Sequence, residues 1–149
     1  MGYSLIFKVI KKICLAAYPV LLKEYFLEND DILFVCITCR KNGKATEPRH
    51  GRILFDNLRD KYPKLNVKPV KCLAGCKNGV TLSLWNRGKW CYVIGNLTPD
   101  QDETDIIEGF NEYRKTLDGK IPFSKRPRAF KSQSLARIPP LNYEMIEDE

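Results

Sequence analysis

Ile32-Leu-Phe-Val-Cys36-Ile-Thr-Cys39 is a continuous apolar run that ends in a pair of cysteines. Val67-Lys-Pro-Val-Lys-Cys72-Leu-Ala-Gly-Cys76 has the same plan, with 32 residues between Cys39 and Cys72. A short apolar run of this kind suits a strand covered on both faces, as in a parallel sheet. Two parallel strands that end at one edge of a sheet bring both cysteine pairs to one place. Open α/β sheets carry their sites at that edge.

The stretch between the pairs supports this reading. Cys39 to His50 is a loop by composition. Gly51 to Tyr62 is predicted to be a helix, with Leu54, Leu58 and Tyr62 on one face and Pro63 ending it. Val67 to Cys72 is predicted as the second strand. Pro69 removes a ladder donor from it and pushes it towards the edge of the sheet. Gly75 and Gly79 let the second cysteine loop pass close to whatever the sulfurs hold.

After that loop, Val80-Thr-Leu-Ser-Leu-Trp85 alternates with period two, Asn86-Arg-Gly-Lys89 turns, and Trp90-Cys-Tyr-Val-Ile-Gly95 returns as its partner. Trp85, Trp90 and Tyr92 are read as packing or pairing across this hairpin rather than stacking on a ligand. Thr98-Pro-Asp-Gln101 is predicted to start a helix, with Thr98 as N-cap and Pro99 in the first turn. Ile106, Phe110, Tyr113 and Leu117 form its apolar stripe, and Gly119 its C-terminal cap. Asp100, Asp102 and Glu103 suit the positive end of that helix and are not read as catalytic acids.

Three divisions follow: a helical appendage over 1–30, a metal-binding domain over 31–119, and an irregular tail over 120–149 that is basic and then acidic. In the appendage, Ile13-Cys-Leu-Ala-Ala-Tyr-Pro-Val-Leu-Leu22 has the look of a short signal-peptide core, but no small-x-small cleavage site follows it. It is read as an amphipathic helix divided by Pro19, with no membrane span and a cytoplasmic location. The 149 residues carry a net charge of +7 and are 44% hydrophobic, enough for a real core.

Six cysteines and one histidine in a chain of this length argue against a disulfide scaffold and for a reducing compartment with a metal or redox site. Cys14 and Cys91 lie outside the pairs and are read as buried small side chains. A hydrolase or transferase is disfavoured: there is one His, no Ser-His-acid pattern and no phosphate loop. Nucleic-acid binding is disfavoured too, because the aromatics are not interleaved with the basic run.

Three chemistries remain for Cys36, Cys39, Cys72 and Cys76. The first is a 2Fe-2S cluster with two thiolates on each iron. The second is a structural zinc on the same four sulfurs, in a zinc-binding interaction module. The third is thiol–disulfide exchange through Cys36 and Cys39. That third chemistry leaves Cys72 and Cys76 without a role, and Cys39 leads into a loop rather than a helix.

Residues 31–115 resemble the thioredoxin-like 2Fe-2S ferredoxins. The likeness rests on Lys71-Cys-Leu-Ala-Gly-Cys-Lys-Asn-Gly79, a hairpin with Gly88-Lys-Trp-Cys-Tyr92, a Pro-Asp helix start and the gap between the pairs. More closely, residues 31–140 resemble an uncharacterised family of predicted metal-binding proteins. Here the likeness rests on Val35 to Arg40, Cys72 to Cys76, Gly88 to Gly95, Arg126-Pro127 and Arg137 to Pro140. The resemblance implies an α/β fold with a thioredoxin-like ferredoxin layer, β-α-β-β-β-α. It also implies a 2Fe-2S electron carrier or cluster-bearing accessory protein that is not an enzyme by itself.

One departure concerns His50. The ferredoxins put about four to twelve residues between their first two ligands, where this chain has two. A longer spacing would land near Arg49 or His50, so a Cys/His site is an alternative. A redox partner is expected to dock on the basic stretch Lys125, Arg126, Arg128, Lys131 and Arg137.

Overall fold

The computed structural model describes residues 31–141 and 143. The expected N-terminal helix over 1–30, with Cys14, lies outside the described residues, as does the acidic run from Glu144. The described chain is α/β: one five-stranded mixed sheet with three helices. The strands are β1 (Ile32–Cys36), β2 (Val67–Val70), β3 (Val80–Trp85), β4 (Cys91–Leu97) and β5 (Ser134–Ile138). The helices are α1 (His50–Lys61), α2 (Glu103–Lys115) and α3 (Arg128–Ser132). No helix among the described residues is long and apolar enough to cross a membrane.

The sheet order is β2-β1-β3-β4-β5. β1 and β2 run parallel, with Cys36 opposite Val70, and α1 connects them. β2 is an edge strand, the position that suits the missing N–H of Pro69. β3 is antiparallel to β1, β4 to β3 and β5 to β4. One consequence positions everything below. β1 and β2 end where β3 begins, and Val80 pairs with Leu97 at the close of β4.

Leu33, Val35, Leu82, Leu84, Tyr92 and Ile94 are fully buried. They form one core with Leu54 and Leu58 of α1, Ile106, Phe110 and Tyr113 of α2, and Phe130 of α3. The alternation of β3 and β4 and the stripe of α1 drive this packing, since each presents its apolar side to the same interior.

Four expectations are corrected. Residues 120–149 were expected to be irregular; instead they carry a 3₁₀ turn (Phe123–Lys125), α3 and β5. The five residues of β5 are all exposed, so the strand has no buried face to mark it in sequence. It forms because the outer edge of β4 supplies its ladder, with Cys91 opposite Ile138. Second, α2 starts at Glu103 rather than near Thr98. The Thr98 N–H donates to the Asp102 carboxylate at 2.7 Å, so the side chain turns back to close a loop ahead of the helix. Third, α2 ends at Lys115, which leaves Leu117 exposed and outside the stripe. Fourth, Gly119 is not its cap. It has φ +83° and lies against the Trp90 backbone, where a β-carbon would sit 2.6 Å from the Trp90 carbonyl oxygen.

At the far end of the sheet from the cysteine loops, a buried ion pair ties the start of β1 to the hairpin turn. Lys89 Nζ lies 3.1 Å from the Asp31 carboxylate, whose other oxygen accepts from the Asn86 amide at 2.7 Å. Both charged side chains are almost wholly buried.

Candidate functional site

Parallel pairing of β1 with β2 delivers both cysteine pairs to one end of the sheet. Cys36 is the last residue of β1, and Cys72 follows β2 by two residues. The loop between Cys36 and Cys39 is held by two backbone hydrogen bonds and one from a side chain. Ile37 N–H donates to Val70 O at 2.9 Å, Gly51 N–H donates to Cys39 O at 3.2 Å, and the Thr38 hydroxyl donates to Lys71 O. The first turn of α1 presses on the loop from behind. A β-carbon on Gly51 would sit 1.9 Å from the Cys36 carbonyl oxygen and 3.4 Å from Cys39 Cβ.

The second loop is pinned by Gly75 and Thr81. A β-carbon on Gly75 would meet Thr81 Oγ1 at 2.7 Å, so only glycine allows this approach. The buried Thr81 hydroxyl donates towards Gly75 O and Gly79 O, each at 3.4 Å. Cys76 opens a 3₁₀ turn (Cys76–Asn78), and Ala74 takes φ +58°. That left-handed residue lets its N–H donate to Cys72 Sγ at 3.3 Å.

The two pairs differ in exposure. Cys36 and Cys39 are buried, whereas Cys72 and Cys76 are exposed. Burial pushes the Cys36 thiol up, yet the net shift is downwards. The opposing hydrogen bonds come from the Cys39 thiol, the Thr38 hydroxyl and N–H, and the Leu73 N–H of the second loop. Cys39 is pushed up to about 12 by burial and by the Cys36 sulfur it bonds, against weaker help from Thr81. The pair therefore favours one shared proton over two thiolates. Cys76 is raised by its hydrogen bond with Cys72, by that sulfur's charge and by burial, and it also feels Cys36.

Leu73 and Cys76 thus bring the second loop into the electrostatic surroundings of Cys36. Even so, among the described residues no three or more His, Cys, Asp or Glu side chains are gathered as a metal-holding group.

His50 is the first residue of α1, and its ring is engaged by the loop before the helix. Its Nδ1 accepts from Lys41 N–H at 3.2 Å and lies 3.3 Å from the Thr46 hydroxyl, so it ties down the loop before α1. Cys91 is buried, 3.7 Å from Lys89 O, as a small core side chain. Of the basic tail, Arg128 pairs with Asp102 and Asp105, and Arg126 Nε donates to Ile121 O at 2.9 Å. Lys131 sits 5.5 Å from the Phe123 ring and Arg137 5.8 Å from the Trp90 ring.

Sequence reading missed Thr81 and the Leu73 N–H. The signal available was slight: Thr81 is one of two hydroxyl residues in β3 and stands two positions after Gly79.

A family described as "Protein of unknown function (DUF1636)" matches residues 33–140. No curated protein and no solved structure matches the chain.

Proposed function

Since the chain belongs to the DUF1636 family, whose description assigns no activity, we propose from its own residues that it is a small 2Fe-2S protein. In this reading it carries electrons or supports a partner that does, and Cys36, Cys39, Cys72 and Cys76 are the ligands. The observation that carries the reading is the delivery of both pairs to one end of the sheet by the β1–α1–β2 unit.

Three features support the fit. The donor set is all sulfur, the commonest ligand set of such clusters. The Thr38 and Leu73 N–H groups already favour an anionic sulfur at Cys36, and amides of this kind tune a cluster when one is bound. No carboxylate occurs between Tyr62 and Pro99, whereas Lys68, Lys71 and Lys77 do, so the surroundings suit negative charge. Against these stands the present spread of the sulfurs. The exposed Cys72 and Cys76 must turn inward over Cys36 and Cys39 to complete four ligands. When bound, the cluster accepts and releases one electron at a time; the chain's share is to hold the sulfurs, shield the inner pair and supply amide donors.

The finer fold assignment, a thioredoxin-like ferredoxin layer, is part of the same proposal. It is supported by the parallel β1–α1–β2 unit followed by the β3–β4 hairpin and α2. A kinship with the thioredoxin-like ferredoxins rests on that layering and on the cysteine spacing. A redox partner would dock on the basic stretch of the tail, through Lys125, Arg126 and Lys131. Arg128 is already engaged by Asp102 and Asp105.

Exchange through Cys36 is a weaker reading. An attacking thiolate must be reached, and Cys36 has no exposed surface. Zinc on the same four sulfurs is separated by analysis. The full-length protein is purified without oxygen and assayed for iron, acid-labile sulfide and visible absorbance. Iron and sulfide in equal amounts, both lost in Cys36→Ser and Cys72→Ser, are expected. A colourless protein without sulfide ends the cluster proposal, and one zinc per chain moves the site to the structural reading.

A further inference from the structure

A cleft of about 380 Å³ opens beside Cys76, where the loop after Cys39, the second cysteine loop and the end of β4 meet. Arg40, Lys41 and Lys77 line it with the amides of Asn42 and Asn96, and no carboxylate does. The three cations come from two loops far apart in sequence. None has an ion pair or ring contact among the described residues. Elsewhere many cations find partners: Arg49, Arg52, Arg59, Lys61, Lys89, Lys115 and Arg128 all pair with carboxylates. Leaving three together costs repulsion that an anion would relieve.

The backbone is shaped for the cleft. Asn42, Gly43, Gly79 and Asn96 all take positive φ, of 52°, 70°, 60° and 53°. The two that are not glycine, Asn42 and Asn96, are of the residue type that enters this region most readily after glycine. At Gly79 a β-carbon would lie 3.6 Å from Asn96 Cα and 3.9 Å from Arg40 O, so the loops meet closely behind the cations.

We propose that this cleft binds a small oxyanion carrying at least two negative charges, of phosphate or carboxylate type. Arg40 grips two oxygens through its planar fork, Lys41 and Lys77 neutralise charge, and the Asn42 and Asn96 amides orient the ligand. The volume suits a small metabolite and not a macromolecule. The inference goes beyond the metal reading and takes the second cysteine loop as it stands, with Cys76 lining the cleft.

Inorganic pyrophosphate and citrate, titrated calorimetrically into the full-length protein, test it. Saturable binding of one molecule per chain is expected for at least one of them, and which one binds tells phosphate from carboxylate chemistry. Arg40→Ala with Lys77→Ala is expected to weaken binding about tenfold or more. Lys64→Ala with Arg87→Ala removes the same charge away from the cleft and is expected to leave binding within about twofold. Lys41→Ala alone, expected to weaken binding severalfold, keeps the test open should the double variant fold poorly. Equal loss in the two double variants, or no saturation with either anion, overturns the proposal.

Discussion

Gly51 lies so close to Cys36 that a β-carbon on the glycine would fall 1.9 Å from the cysteine's carbonyl oxygen. The start of α1 and the end of β1 are therefore in backbone contact, and the loop carrying Cys36 and Cys39 is wedged between them. The wedge sets where the inner sulfur pair sits.

Gly51→Ala is expected to destabilise the fold by about 1–3 kcal/mol, because backbone must move to admit the methyl group. Gly43→Ala is the matched control: Gly43 has φ +70° but nothing within 4 Å, so strain alone acts there. Urea unfolding of both, with metal content of the folded variants, checks this. On the cluster proposal, Gly51→Ala should lose bound metal and Gly43→Ala should keep it. Retention of full metal in a stable Gly51→Ala protein would show that the wedge does not position the sulfurs.

Thiol accessibility follows from burial. In metal-free folded protein, iodoacetamide is expected to label Cys72 and Cys76 at least about tenfold faster than Cys36, Cys39 and Cys91. The low-lying Cys36 thiol does not reverse this order, because a thiolate without exposed surface is not attacked. Peptide mass spectrometry over a time course reads the result, and early labelling of Cys36 would contradict the burial described here.

Lys89→Met leaves the Asp31 carboxylate buried without its cation, a change expected to cost about 3–5 kcal/mol near neutral pH. The sign of its pH dependence is fixed. Burial already raises Asp31, opposed by the Lys89 ammonium and the Asn86 amide. Without Lys89 the folded value climbs further above the unfolded value of about 4. Stability linked to that proton is fully present below about pH 4 and is lost as pH rises through the folded value. The deficit against wild type should therefore shrink from about pH 7.5 to about pH 5 in denaturant unfolding. A deficit that stays constant over this interval would mean Asp31 keeps its charge without Lys89.

Tyr113 offers a stabilising change. Among the described residues its hydroxyl is buried without a hydrogen-bond partner, while its ring packs edge-on to Tyr92 at 6.2 Å and under Lys89 Nζ at 5.2 Å. Tyr113→Phe keeps the ring and removes the unsatisfied group, so a gain of about 1 kcal/mol is expected. Thermal unfolding measures it, and a clear loss would reveal a partner for the hydroxyl.

Much of the fold was legible from pattern. The helix over 51–62 appears as His50–Lys61, and the hairpin 80–85 with 90–95 appears as β3 and β4. β1 matches 32–36, and Pro69 marks β2 as an edge. The α2 boundary was missed because Thr98 and Pro99 mimic a helix start, while the Asp102 carboxylate bonds Thr98 N–H and delays it. β5 was missed because an edge strand with no buried face leaves no alternation to read.

What the sequence alone determined is the period of each element and the place of the cysteines along them. Those depend on local spacing and turn chemistry, which adjacent residues carry. Tertiary structure alone decided which sulfur pair is buried and that Thr81 and Leu73 N–H reach the inner pair. It also decided that Arg40, Lys41 and Lys77 share one cleft that no carboxylate lines. These are relations between segments distant along the chain, created only when β1, β2, β3 and β4 close onto one sheet end; no local pattern encodes them.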